Sequence, residues 1–259
     1  MLKYMAATLL SFLLLAGWMV KRAFENNVTY INIPLKTYTS EKDFSIFFIS
    51  DIHRRILDIN WIKTIPSADA VIIGGDLIEK GVPFSRVEKN IQLLSKLGPV
   101  YFVYGNNDEE VDLKKLNKLL RENDVTILDN KAVKLQIEND HILWIAGVGD
   151  ISYQKDDVQK ALQMVHSSYP VVLVSHEPVI IHKLANINKK VDLILSGHTH
   201  GGQIRFFGAG PYEPGTLKKI NTTYQLISNG FGTTFIPLRL GARSETHYIS
   251  LSKKNGSVV

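Results

Sequence analysis

Five apolar runs of this sequence end in side chains that could bind metal ions or handle protons. FSIFFIS (44–50) ends at Asp51, with His53 two residues on, and DAVIIGG (69–75) ends at Asp76. PVYFVYG (99–105) ends at Asn106, YPVVLVS (169–175) at His176, and VDLILSG (191–197) at His198, with His200 two residues on. Singly, each has an ordinary explanation, because Asp and Asn cap helices and turns and an isolated histidine is a common polar residue. Together, at the ends of strand-like runs where open α/β sheets place their ligand sites, they outrun that explanation. Imidazole and carboxylate suit Mn, Fe or Zn, and the absence of cysteine argues against a structural zinc site. Asp51 and His53 leave their strand on one side, so both reach the same ion. His198 and His200 repeat that spacing, and Asp76, behind the permissive pair Gly74-Gly75, can approach two ions at once.

The motifs DIH (51–53), GGD (74–76), GN (105–106), SHEP (175–178) and GHTH (197–200) resemble, in order and spacing, those of the calcineurin-like metallophosphoesterases. GGQIRFFG (201–208) and NGFGTTFIPLRL (229–240) extend the likeness toward a membrane-associated bacterial branch that acts on lipid-linked or envelope phosphoesters, UDP-2,3-diacylglucosamine pyrophosphatases among them. The resemblance implies a four-layer α/β/β/α sandwich and two divalent ions, Mn favoured over Fe or Zn. It implies that Asp51, His53 and His200 hold the first ion, that Asp76 bridges, and that Asn106, His176 and His198 hold the second. A hydroxide between the ions would then attack phosphorus in line with the leaving oxygen. Two ions about 3.5–4 Å apart also acidify water and clamp charge on phosphoryl oxygens on general grounds.

One position departs from the pattern. The family's usual motif is GNH followed by an acid, its histidine assigned as general acid, whereas this chain reads GNND with Asn107 in the slot. Asparagine can donate a hydrogen bond to a phosphoryl oxygen but delivers no proton, and loss of general acid catalysis costs about 10²–10⁴ in rate. His182, on the helix expected after His176, is the nearest substitute in sequence; His141, His166 and His247 read as surface or packing residues, and Asp108 as a cap for the segment containing Asp112. A leaving group stable as an anion needs no acid, which favours a phosphodiester or pyrophosphate over an alkyl phosphomonoester. Arg54 and Arg55 follow His53 directly, and one of them is expected to grip a phosphate with its planar guanidinium. Glu177 is a candidate partner for a ligand's free ring N–H, and Arg205 a candidate for substrate binding. The rival reading is a binding module that kept the fold and lost its acid. Retention of a full set of polar ligands, costly to bury unpaired, weighs against it.

To position these residues, the runs must be short strands buried on both faces and alternating with helices. Helices are expected at Asp58–Ile65, Phe84–Leu97, Leu113–Asn123, Asp156–Val165 and Val179–Ala185. AVKLQIE (132–138) and HILWIAG (141–147) read as a hairpin turned at Asn139-Asp140. The Gly- and Pro-rich tail suggests strands near Gln203–Phe207, Tyr224–Ser228 and Thr246–Leu251. No internal repeat or second boundary interrupts residues 43–259, and residues 25–42 read as a linker with an edge strand, YINIPL.

Residues 1–24 differ in kind. An uncharged run from Tyr4 to Val20 lies between Lys3 and Lys21-Arg22, with Tyr4 and Trp18 placed as interfacial aromatics. At 17 residues it reaches the lower edge of a bilayer span, and it exceeds the apolar core of a cleaved signal peptide without offering a cleavage site. It reads as a single-pass membrane anchor rather than a removed signal segment. Lys21, Arg22 and Lys36 outnumber Lys3, a slight lean toward a cytoplasmic domain. The net charge of +5 is scattered, with none of the basic runs that a nucleic-acid phosphodiesterase would need, so no nucleic-acid partner is expected.

Overall fold

Strands apolar at every position must be covered on both faces, and the computed structural model arranges the chain accordingly. It describes residues 1–254 apart from 139, 140, 167 and 186. The order runs α1 (Leu2–Ala23), β1 (Val28–Leu35), β2 (Phe44–Ile49), α2 (Ile59–Ile62), β3 (Ala70–Gly74), α3 (Phe84–Leu94), β4 (Val100–Val103), α4 (Leu113–Glu122), β5 (Thr126–Ile127) and β6 (Lys131–Glu138). It continues with β7 (His141–Gly147), α5 (Val158–Ala161), β8 (Val171–Val174), α6 (Ile180–Leu184), β9 (Leu193–Ser196), β10 (Thr216–Ile220), β11 (Thr223–Ile227) and β12 (Thr246–Lys253). Two six-stranded mixed sheets result, ordered β1-β12-β2-β3-β4-β5 and β10-β11-β9-β8-β7-β6.

The two-residue period of a strand divides the core into three slabs. Ile46, Phe48, Ile72 and Val103 of the first sheet meet Ile145, Val172, Val174 and Leu195 of the second between the sheets. The alternate residues Phe47, Ile49, Val71 and Ile73 face outward, under Val87 and Ile91 of α3 and Leu116 and Leu120 of α4. On the far side Val171, Leu173 and Ile194 are covered by Val158 and Ala161 of α5 and Ile180 of α6. This is the expected α/β/β/α sandwich. Burying each such side chain contributes about 1.5–3 kcal/mol, so all three slabs add to cohesion. β2, β3 and β4 run parallel, as do β7, β8, β9 and β11, so the C-terminal ends that carry the polar residues collect along the edges of two facing sheets.

Several expectations need correction. The helix expected over 58–65 closes after Ile62, and that over 156–165 spans only Val158–Ala161. No strand forms over 203–207. Gln203 and Phe207 adopt positive φ (51° and 49°), leaving only isolated bridges such as Ile204 with Leu240. β5 and β10 were not foreseen. The hairpin of β6 and β7 forms, but its expected turn at Asn139-Asp140 lies outside the described residues. α1 is long and apolar enough to cross a membrane, and of its residues only Met19 and Ala23 are buried in the protein.

Candidate metal centre

Each of the seven residues sits just past a strand, where the backbone must turn sharply. Asp51, His53, Asp76, His198 and His200 all adopt positive φ, between 49° and 69°. Left-handed backbone costs a non-glycine residue of order 1 kcal/mol and tends to cluster where function holds it in place. Asp51, His53, Asp76, His176 and His200 are buried; Asn106 and His198 are half-buried.

The side chains converge. Asp51, His53 and His200 offer ligand atoms within 4.8 Å of one another, and so do Asp51, Asp76 and His176. The Nε2 atoms of His53 and His200 face each other at 3.1 Å, and His200 Nε2 lies 3.5 Å from Asp51 Oδ1. His53 Nε2 and His176 Nε2 approach the same oxygen, Asp76 Oδ2, at 3.7 and 3.3 Å. Asn106 and His198 adjoin the second group, with Asn106 Oδ1 3.0 Å from His198 Nδ1 and the His198 ring edge-on to that of His176.

The donor set fits a cation. His176 Nδ1 is 2.8 Å from the Gly74 carbonyl and donates to it, which leaves Nε2 facing the Asp76 carboxylate at 3.3 Å. That buried nitrogen has no hydrogen-bond partner. Positive charge is favoured between the two groups, and either a proton on His176 or a bound cation would supply it. Burial opposes charge on His176, yet Asp76 raises its pKa well above the usual value, so a proton occupies the place a cation would take. Burial pushes the Asp76 carboxyl up, but His176 and His53 beside it hold it well below the carboxylate range. Burial, aided by His53 and Arg239, pushes His200 down to about 3, which favours the neutral ring.

Asn107 lies beside Asp76. Its Nδ2 donates to Oδ2 and its backbone N–H to Oδ1, both at 2.8 Å. Arg54 does not point over the cluster; its Nε pairs with Glu79 and its Nη2 donates to the Lys80 carbonyl. Arg55 is a structural clamp, buried 3.6 Å over the Phe231 ring and donating to the carbonyls of Phe24, Glu25 and Phe231. Glu177 accepts from Ser152 instead of a ligand, and Arg205 from its own loop donates to the carbonyls of Gly201, Gly208 and Tyr212. Asp108 does not cap α4, a role Asp112 takes by accepting from Lys115 N. No hydrogen bond, ion pair or ring contact joins His141, His166, His182 or His247 to the cluster among the described residues.

Three further residues, Glu79, Arg239 and Asp150, were not singled out from the sequence, and Asp108 was read there only as a cap. Glu79 Oε2 lies 3.0 Å from His53 Nδ1, the carboxylate–histidine pairing that fixes a ligand's ring. Its spacing, three residues after Asp76, was the available signal. Arg239, fully buried, donates to the carbonyls of Asn229, Gly230, Gly232 and Ala242 and reaches His200 Nδ1 at 3.3 Å. Asp108 accepts from three backbone N–H groups of the site loops. Asp150, just beyond β7, is buried with Oδ2 unpartnered, and burial pushes its carboxyl up to about 6.

Residues 44–202 match the family model described as calcineurin-like phosphoesterase. The chain belongs to that family. It is a metal-dependent phosphoester hydrolase with a cluster able to hold metal ions. It is 44% identical over 229 residues to the protein YpbG of Bacillus subtilis (strain 168), covering 87% of this chain and 88% of that one. A metallophosphoesterase of Helicobacter pylori (strain J99 / ATCC 700824) is 32% identical, covering 86% of this chain and 63% of the relative. A bovine "transmembrane protein with metallophosphoesterase domain" is 31% identical over 84% of this chain, which spans just 55% of that relative's length. Among solved structures, a sulfate thiohydrolase of Thermus thermophilus superposes with a TM-score of 0.51 at 13% identity, over 83% of this chain and 57% of the other. That likeness shows the fold alone.

Proposed function

We propose that the chain is a membrane-anchored phosphoesterase with two divalent ions, acting on a phosphodiester or pyrophosphate, lipid-linked substrates included. Asp51, His53 and His200 would hold one ion, Asn106, His176 and His198 the other, and Asp76 would bridge. Mn is favoured, with Fe or Zn as alternatives of the same donor preference. When bound, such ions acidify water and neutralise charge on the phosphoryl oxygens. The rest falls to the chain's own groups. Asn107 holds Asp76 by two hydrogen bonds and has further capacity only as a neutral donor toward a phosphoryl oxygen. Glu79 orients His53, and Arg54 acts through Glu79 by balancing its charge.

The choice of substrate class rests on Asn107: its amide lies beside Asp76, in the slot to which the family resemblance assigns an acid for the leaving group. With no hydrogen bond, ion pair or ring contact from another histidine to the cluster among the described residues, substrates whose leaving group departs as a stable anion are favoured. α1 would anchor the chain in a bilayer, with the charge asymmetry leaning toward a cytoplasmic domain.

The test compares full-length protein, in detergent with Mn²⁺, on bis-p-nitrophenyl phosphate, a nucleoside pyrophosphate and an alkyl phosphomonoester. Turnover of the first two should exceed that of the third by at least about 10², and Asn107→His should narrow the gap by restoring an acid. Equal rates on all three in the unaltered protein would remove the basis for the assignment.

A further inference from the structure

Two loops leave the metal centre and end in aromatic tips that are fully exposed. In the first, Phe206 and Ala209 exchange backbone hydrogen bonds (3.0 and 2.9 Å) across a two-residue turn, Phe207-Gly208, in which both φ values are positive (49° and 84°). Turns of this kind prefer Asn or Gly at the first position. A phenylalanine there is strained, and Phe207 gains no packing in return: it is 109% exposed. The second loop repeats the feature with Phe235, at φ 59° and 101% exposed, beside the exposed Ile236. Two aromatic tips, each strained and fully solvated, mark a surface that meets an apolar partner.

The loops are bound to each other and to the end of α1. Gln203 Nε2 donates to the carbonyls of Thr234 and Ile236, and Thr234 N donates back to Gln203 Oε1. Arg205 N donates to the Leu240 carbonyl, and Arg239 N donates to the carbonyl of Met19 in α1 at 3.1 Å. Met19 lies inside the uncharged run Tyr4–Val20. At 1.5 Å per residue that run is only about 25 Å long, against a hydrocarbon core of about 30 Å, so Met19 cannot stand far outside the bilayer. A loop bonded to Met19 is then at interfacial depth, where aromatic side chains are favoured. Trp18, with Arg22 stacked over its ring at 4.8 Å, sits at the same level.

We infer that the loops bearing Phe207 and Phe235 are a second membrane contact, dipping into the same bilayer surface that α1 enters and holding the metal centre against it. The link to the centre is short: Gln203 N bonds the His200 carbonyl at 2.9 Å, and Arg239 reaches both the carbonyl and Nδ1 of His200. The centre is thereby presented to phosphoesters carried in the plane of the membrane. This inference rests on the reading of α1 as a membrane span.

The chain has no cysteine, so a single introduced thiol can be labelled uniquely. Full-length Phe207→Cys, Phe235→Cys, Leu13→Cys and Lys118→Cys variants, each carrying an environment-sensitive fluorophore, are reconstituted in vesicles containing nitroxide-bearing lipids. Lys118 lies on α4, beside β5 at the sheet edge opposite β1, and serves as the aqueous reference. Labels at 207 and 235 should emit to the blue and be quenched several-fold more than the label at 118. Quenching at 13 with none above the reference at 207 and 235 leaves α1 as the anchor and overturns the second contact. Absence of quenching at 13 overturns the anchor reading, and the inference with it. Water shielding at 207 and 235 that grows with protein density but not with nitroxide lipid assigns the tips to a second copy of the chain, again overturning it.

Discussion

Asp108, next in the chain to Asn107, shows how little of the site is made by its ligands alone. Its buried carboxylate accepts from Asp76 N at 2.7 Å, Ile78 N at 3.0 Å and Gly105 N at 2.9 Å, locking the loop that carries Asp76 to the loop that carries Asn106. Truncation to alanine strands three buried N–H groups, each worth about 1–3 kcal/mol when left unsatisfied. Asp108→Ala should therefore lower the melting midpoint by at least roughly 5 °C, at 2–4 °C per kcal/mol for a chain of this size, and reduce bound metal. Asp108→Asn, which keeps an acceptor, should lose less; an alanine variant with unchanged midpoint and full metal content contradicts the assigned role. The candidate ligands were legible as a convergent set, because chemistry and strand-end position coincide in seven places. Asp108 was not, since two of its partners lie 32 and 30 residues earlier and only folding brings them together.

The elements hold the ligands by backbone shape as much as by packing. At the end of β3, Gly75 has φ +90°, and a Cβ there would stand 2.4 Å from His176 Nδ1 and 2.9 Å from Gly105 N. Gly75→Ala should displace the His176 ring from the Gly74 carbonyl and weaken metal binding roughly 10–100-fold, the usual effect of losing a ligand's orienting partner. Gly81→Ala is the control: its φ is +85° but its Cβ would meet only Arg54 Nη2, at an ordinary contact distance of 3.9 Å, so it carries the same backbone strain without a clash and should leave metal affinity unchanged in calorimetric titration. On β12, His247 is buried opposite Phe48 with neither ring nitrogen hydrogen-bonded, and burial pushes it down to about 4. Its folded pKa lies below the unfolded value of about 6.5, so the unfolded chain binds the extra proton and the neutral ring's contribution is complete only above that value. Stability should fall as pH drops from about 6.5 toward 4, and His247→Leu should flatten that part of the thermal-midpoint profile; an equally steep profile in the variant excludes His247 as the cause. Strand alternation and the leucines of α4 were legible because their burial follows sequence period. The segment 203–207 was misread because its apolar residues do not pack: Phe206 and Phe207 are exposed, and positive φ at Gln203 and Phe207 breaks the ladder.

At the scale of the whole molecule, two sheets place the ends of β2, β3, β4, β8 and β9 around one cluster, and the tail after β9 ties that cluster to the helix at the N-terminus. The first arrangement was anticipated through the five motifs. The second was not, because Arg239 in the apolar stretch PLRL gives no local sign that its side chain reaches His200 while its backbone reaches Met19. Phosphoester hydrolysis is expected to run through the metal cluster built on Asp76. The direct measurement is hydrolysis of bis-p-nitrophenyl phosphate, whose leaving group needs no acid, by full-length protein stripped with a chelator and then titrated with Mn²⁺, beside Asp76→Ala carrying the same melting profile. Activity should vanish on stripping, return with Mn²⁺ and stay absent in Asp76→Ala. Turnover that persists without metal, or that survives the loss of Asp76, would contradict it.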